Sequence, residues 1–358
     1  METPVIQVQL KDPKQWKTLP PAEKLGFGNF FSDHWFTSHF SETKGWTDAK
    51  VEPYQNLSLD PAAAVFHYGQ ALFEGMKAFR RADGSIWLFR PDFNARRFND
   101  GAERLCLHTV PTELFLKGIG AVVRADSRWV PKEPGCALYI RPTLIGSEGF
   151  LGVRPSREQQ FFVILSPVGS YYSEGAAPVK IWVEYSALRA AAGGLGAVKA
   201  GANYAASLQA ALHAKKKGYA QVLWLNVDRQ GIEEVGTMNV FFVFKNEIVT
   251  PALNGSILPG GVRDSTIQLL KHWNKPVVER RITISEIYER HGKQELVEAF
   301  GTGTAATISH IGELQWQDKT MKLGGQHELS QQLLENLNGI QMGTKPDTFG
   351  WMRSLDSL

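Results

Sequence analysis

The sequence predicts a two-domain chain of mixed α+β and α/β character. Three observations carry that expectation. Its 358 residues are long for one hydrophobic core and comfortable for two. Strand-like and helix-like patterns alternate along it, irregularly in the first half and more clearly in the second. Residues 167–178, PVGSYYSEGAAP, concentrate Pro, Gly and Ser between two apolar stretches, the composition of an interdomain linker. The expected division is a first domain over 1–170, a linker over 171–178 and a second domain over 179–358.

The elements follow in order. The turn Ala82-Asp83-Gly84 precedes a strand over 85–89. A helix capped by Asp92 or Asn94 runs through Arg97 and Arg104. The stretches 136–144 and 160–166 are apolar and β-branched enough to be strands. Beyond the linker, 180–185 reads as a strand, and 205–217 as a helix that Gly218 ends. A strand over 221–227 and a turn over 228–231 lead into one strand over 234–244. The turn Lys245-Asn246 then leads into another strand over 247–250. After LPGGVRD, 258–264, a helix runs to about Trp273.

Composition excludes several classes. Hydrophobic residues make up 43% and charged residues 21%, as in ordinary globular domains. The 39 Lys and Arg exceed the 36 Asp and Glu by a net +3, too little for a nucleic-acid or membrane surface. The basic run 215–217 closes a helix, where cations suit the negative end of the dipole. The two cysteines, Cys106 and Cys136, form neither a disulfide framework nor a metal spacing, so no metal is expected. The opening METPVIQVQLKDPKQW lacks the apolar core of a signal peptide, and no run of roughly 18 apolar residues spans a membrane. A cytoplasmic protein is expected.

Four places carry chemistry. Lys199 sits in AGGLGAVKAGANYAAS, where small residues let backbone approach a planar ligand and where a crowded lysine loses solvation and becomes a nucleophile. Glu234 heads the apolar GIEEVGTMNVFFVF. A carboxylate there needs a partner, and a pyridinium nitrogen is one. LPGGVRDST, 258–266, sets glycines before a helix start, a phosphate site in outline. FGTGTAATIS, 300–309, offers hydroxyl and backbone donors. Each also has an ordinary reading as a loop, strand end or turn.

Together these segments resemble the branched-chain aminotransferases of pyridoxal-phosphate fold type IV, the class IV aminotransferases. The first half agrees, through LGFGNFFSDHW (25–35), HYGQALFEGMKAFR (67–80), LFRPDFNARRF (88–98), LYIRPTLIG (138–146) and ILSPVGSYY (164–172). The match is collinear from about residue 25 to residue 310. The resemblance implies a smaller N-terminal α+β domain, a larger C-terminal domain with a barrel-like β core, and a homodimer.

It also implies roles. Lys199 forms the Schiff base with pyridoxal 5'-phosphate, Glu234 pairs with the pyridine nitrogen, and Tyr204 hydrogen-bonds the ring oxygen. Arg97 holds the phosphate, with the backbone at Gly261 and Val262 and the Thr304 hydroxyl. Phe27, Tyr68, Tyr139 and Tyr171 wall the substrate pocket. Tyr68, Thr237 and the Ala305 backbone receive the substrate carboxylate, and Arg141 serves acidic substrates. The implied reaction moves the amino group of leucine, isoleucine or valine to 2-oxoglutarate by ping-pong kinetics. A D-amino-acid aminotransferase, an aminodeoxychorismate lyase or a non-catalytic descendant are the competing expectations. Animal members carry a Cys-x-x-Cys pair after GTGTA; Ala306 and Ser309 stand there instead, so no thiol switch is expected at that site.

Overall fold

The computed structural model describes residues 3–169, 177–325 and 327–358. The chain forms two compact units, each discontinuous in sequence. The first comprises Met1–Ser173, Val198–Gly201 and Gly339–Leu358; the second comprises Glu174–Ala197 and Ala202–Asn338. The expected division assigned 179–358 wholly to the second domain. In the structure the C-terminal segment instead joins the first unit, where Met352–Ser354 pairs antiparallel with Ile86–Phe89 and Trp351 meets Phe89 at 5.8 Å.

The first unit is built on a mixed sheet. Its strands lie in the order Gln7–Val8, Gly45–Pro53, His34–Ser41, Glu158–Val168, Ala137–Gly146, Met76–Arg80, Ile86–Phe89 and Met352–Ser354, with Ala71–Phe73 also paired to Ala137–Gly146. The strand expected over 160–166 continues to Val168. Its ladder with Ala137–Gly146 carries it through Pro167, opposite Leu138, so the linker composition overlaps the strand. Helices Pro91–Arg104 and Thr112–Ala125 pack on the sheet, and Phe98, Phe115 and Phe161 meet at 5.2–5.7 Å. Burying each ring fully contributes on the order of 2–3 kcal/mol. Gly118 is required by this packing, since a Cβ there would lie 2.8 Å from the Phe36 ring.

The helix holding Arg97 starts before the expected caps. Pro91, with its fixed φ, opens it after Arg90, and no side chain caps it. Asp92 instead pairs with Arg353, and the Asn94 amide turns inward to Glu74.

The second unit holds the other mixed sheet, in the order Ile232–Val235, Gln221–Leu225, Val179–Glu184, Thr307–Trp316, Leu296–Gly303, Asn239–Phe244, Ile248–Thr250 and Val277–Glu279. The single strand expected over 234–244 is two strands. Gly236, at φ 57°, turns the chain, and Val235 and Met238 exchange backbone hydrogen bonds of 2.9 Å. This turn links the first strand of the order to the sixth and curls the sheet into a barrel-like core lined by Ile181, Val183, Leu223, Val240, Phe242 and Ile311. The helix expected from Ala205 begins at Gly201, two residues after Lys199, and ends at Lys216 before Gly218 at φ 84°.

Candidate functional site

In the first unit, Lys199 is held by backbone pairing. Its carbonyl accepts from the Phe73 N–H at 3.1 Å, and Leu72 and Ala200 form an antiparallel bridge. Its Nζ lies 5.0 Å from the centre of the Phe73 ring, and the Arg141 guanidinium lies 4.5 Å from the same ring. Burial lowers the pKa of the Lys199 amine, and the positive charges of Arg97 and Arg141 lower it further. Tyr139 and Glu74 act in the opposite sense without reversing the direction. A lowered pKa makes the neutral, nucleophilic amine easier to reach than in an ordinary lysine.

Arg97 projects from the helix Pro91–Arg104 and is 9% exposed. Its Nε and Nη2 donate to the two carboxylate oxygens of Glu74 at 2.7 and 2.8 Å. Glu74 is wholly buried, and burial alone would raise its pKa. The Arg97 charge and hydrogen bonds, together with Lys199 and Asn94, outweigh that and hold it below the ordinary carboxylate value. Sequence reasoning missed Glu74, although it lies in the quoted FEGMKAF segment.

Tyr139 and Arg141 share the strand Ala137–Gly146, two residues apart and so on one face. Arg141 Nη2 donates to the Tyr139 hydroxyl at 3.1 Å. Phe27 meets the Tyr139 ring edge-on at 4.9 Å. Gly75 makes room for that hydroxyl, because a Cβ there would overlap it. Tyr68 is directed elsewhere. Its hydroxyl donates to the Leu151 carbonyl. Tyr171 lies outside the described residues.

In the second unit, Glu234 sits opposite Trp224 at the end of its strand and is 3% exposed. The partner that compensates this buried carboxylate is Arg189, whose Nε lies 3.2 Å from Oε2. The Leu258 N–H also donates to Glu234, at 2.7 Å. Arg189 Nη2 donates to the carbonyls of Gly196 and Ser256. Sequence reasoning missed Arg189 as well; the one available signal was a lone cation among small residues. Tyr204 and Asn203, from the helix Gly201–Lys216, and Thr237, from the tight turn, line the same cleft as Glu234 and Arg189.

The loop before the helix Gly261–His272 is tied to this cleft. Asn239 donates to the Leu258 carbonyl at 2.9 Å, and a Cβ at Gly260 would overlap the Asn239 side chain. Gly260 caps the helix and has no side chain, so the N–H groups at its start face no side-chain acceptor from the cap. Thr302, opposite Asn239 in the ladder, has its Oγ1 buried without a hydrogen-bond partner. Thr304 and Ala305 occupy the turn between Leu296–Gly303 and Thr307–Trp316. A glycine-capped helix start of this kind fits a phosphate, and an amine whose pKa is lowered fits an aldehyde. The residues present therefore fit pyridoxal 5'-phosphate. Among the described residues, no group of three His, Cys, Asp or Glu can hold a metal ion, and no helix is long and apolar enough to cross a membrane.

Comparison with known proteins gives the family. Residues 71–314 match the amino-transferase class IV family. The chain is 48% identical to branched-chain-amino-acid aminotransferase 2 of Bacillus subtilis (strain 168), covering 100% of this chain and 99% of that one. It is 47% identical to branched-chain-amino-acid transaminase 1 of the same organism, over 94% and 96% of the two chains. The fold matches the crystal structure of the Escherichia coli branched-chain amino acid aminotransferase with a TM-score of 0.76 at 23% identity, over 90% and 99% of the chains. It also matches the branched-chain amino acid aminotransferase from Thermobaculum terrenum in its PLP-bound holo form, with a TM-score of 0.74 at 22% identity, over 90% and 98%. The chain thus belongs to the class IV aminotransferase family, and within it groups with the branched-chain-amino-acid aminotransferases.

Proposed function

We infer that this enzyme reversibly transfers the amino group of leucine, isoleucine or valine to 2-oxoglutarate, giving branched-chain 2-oxo acids and glutamate, with pyridoxal 5'-phosphate as its cofactor. The observation that carries the reading is the Lys199 amine, 5.0 Å from the centre of the Phe73 ring and with its pKa lowered by desolvation and by Arg97, in a chain of this family. The bound cofactor supplies an aldehyde for the amine and a protonated ring that draws electrons from the substrate α-carbon.

The protein's own residues do the rest. Lys199 Nζ anchors the cofactor, then takes the α-proton of the substrate and returns a proton on the other side of the reaction. Glu234 receives the ring N–H, with the Arg189 guanidinium beside its carboxylate. Tyr204 hydrogen-bonds the ring oxygen. Arg97, the backbone at Gly261 and Val262, and Thr304 take the phosphate. Phe27, Tyr139 and Tyr171 cover the branched side chain, at roughly 0.8 kcal/mol for each methylene buried. Arg141 meets the second carboxylate of glutamate, while Thr237 and Ala305 receive the carboxylate common to all substrates.

A homodimer belongs to the same proposal. Phe66, Tyr68, Phe150, Leu151 and Val153 are exposed apolar side chains, Leu151 by 64% and Val153 by 87%. The Tyr68–Leu151 hydrogen bond brings two of these side chains' segments together, and exposed apolar surface of this kind suits a subunit contact. The cytoplasm is the proposed location, since exposed Cys106 and buried Cys136 form no disulfide.

The test compares wild type with Lys199→Ala, following the absorption band of the bound cofactor and amino transfer from leucine to 2-oxoglutarate. Wild type shows both and the variant loses both. Turnover of D-alanine in place of leucine sinks the substrate assignment, and normal turnover by the variant sinks the role of Lys199.

A further inference from the structure

The tripeptide Phe73-Glu74-Gly75 joins the strands Ala71–Phe73 and Met76–Arg80 and reaches four functional side chains of the first unit. Phe73 pairs with the Lys199 backbone and carries Lys199 and Arg141 against its ring. Gly75 leaves space for the Tyr139 hydroxyl. Glu74, 0% exposed, accepts from Arg97 at 2.7 and 2.8 Å, from Asn94 at 2.7 Å and from the Gly75 N–H at 3.1 Å, and its own N–H donates to the Pro142 carbonyl at 2.8 Å.

Stability does not account for this arrangement. A buried ion pair costs so much desolvation that apolar residues of the same volume commonly serve a fold as well or better. A guanidinium held on two adjacent nitrogens by a carboxylate is, however, fixed in plane and direction, which a single contact does not achieve. The pair also sets one negative charge beside two positive ones, Arg97 and Lys199.

We propose that Glu74 is a positioning residue. Its carboxylate fixes the Arg97 guanidinium in the orientation that receives the cofactor phosphate, and its charge offsets that of Arg97 beside Lys199. The proposal rests on the phosphate role given to Arg97 above.

The experiment titrates cofactor-depleted wild type, Glu74→Gln, Glu74→Asp, Arg97→Met and the Glu74→Gln/Arg97→Met double variant with pyridoxal 5'-phosphate and, separately, with pyridoxal, which lacks the phosphate. Thermal unfolding of each variant reports folding. Glu74→Gln is expected to lose about tenfold of the preference for the phosphorylated form, the size of one charge-assisted hydrogen bond. It adds no further loss in the Arg97→Met background. The charges facing Lys199 are Arg97, Arg141, Glu74 and Tyr139, so removing Glu74 also moves the pH at which pyridoxal is taken up downward. Glu74→Asp keeps the charge but not the two-point contact, so it loses preference with little change in that pH; it also serves if the Gln variant does not fold. A merely structural Glu74 lowers the unfolding temperature and leaves both the preference and the pH unchanged, which overturns the proposal. Tighter binding of the phosphorylated form by Glu74→Gln overturns it too, because Glu74 then competes with the phosphate. If Arg97→Met leaves the preference intact, the phosphate role of Arg97 fails and takes the proposal with it. If Arg97→Met abolishes the preference and Glu74→Gln does not touch it, the positioning role alone fails.

Discussion

Nε of Arg189 lies 3.2 Å from Oε2 of Glu234, and both side chains are over nine-tenths buried. A carboxylate in that position keeps its charge only while a cation stays beside it. Removing one member of such a pair costs about 3–5 kcal/mol, because the other is left buried and uncompensated. Arg189→Leu should therefore unfold at a markedly lower temperature than wild type. Neutralising the carboxylate as well, in Arg189→Leu/Glu234→Gln, should recover a large part of that loss. Thermal denaturation of the four proteins of the cycle measures it, and strictly additive effects would show that the two side chains do not act as a pair.

The pH behaviour of Lys199 follows from its neighbours. Burial and the charges of Arg97 and Arg141 lower the pKa of the amine, so Lys199 should react with pyridoxal at a pH below that of an ordinary lysine, about 10.4. Arg97→Met removes a positive charge, which makes the protonated amine less unfavourable and moves the midpoint upward. The midpoint is read from the absorbance of pyridoxal uptake across pH. A downward movement in Arg97→Met would mean that burial of Lys199 and not Arg97 controls its charge.

Chemistry with a local signature could be read from the sequence, and chemistry that depends on pairing could not. Lys199 among small residues, Glu234 at the head of an apolar strand and glycines before the helix Gly261–His272 each announce themselves within a few residues. Glu74 and Arg189 do not. What makes Glu74 functional is that Leu72 and Ala200 pair across more than a hundred residues, and that the helix Pro91–Arg104 turns Arg97 toward it. No periodicity encodes either fact. The same reason hid the return of the C-terminal segment to the first unit, since the pairing of Met352–Ser354 with Ile86–Phe89 is set by register alone. The split of the strand expected over 234–244 was foreshadowed by Gly236, but β-branched Val235 and Thr237 on either side and the apolar run 240–244 masked the turn.

The exposed patch around Val153 makes the dimer testable. Leu151→Asp and Val153→Lys each set a charge in what is proposed to be a dry subunit contact, where an unpaired charge costs several kcal/mol. Sedimentation should show wild type as a dimer and the variants shifted toward monomer. A wild-type monomer at micromolar concentration would remove the homodimer from the proposal.

Acid stability should depend on His310. Its Nδ1 lies 2.8 Å from the Ser330 hydroxyl, which itself donates to Glu298 at 2.8 Å, and the His327 ring stands 5.0 Å away. Burial, with the charge of His327, lowers the pKa of His310, and the contributions of Gln331 and Glu298 do not restore it. The unfolded chain therefore takes up a proton at His310 near pH 6.5, while the folded chain still resists it. Stability is lost as pH falls from about 7 toward 5, at up to roughly 1.4 kcal/mol per pH unit for one proton, and the loss levels off below the folded value. His310→Gln, which keeps a hydrogen-bonding side chain and cannot titrate, should flatten part of the acid slope in urea unfolding measured between pH 7 and 5. A slope unchanged in His310→Gln would assign the acid sensitivity to carboxylates such as Glu74 and Glu247, whose folded values are lowered and whose contribution is lost at more acidic pH.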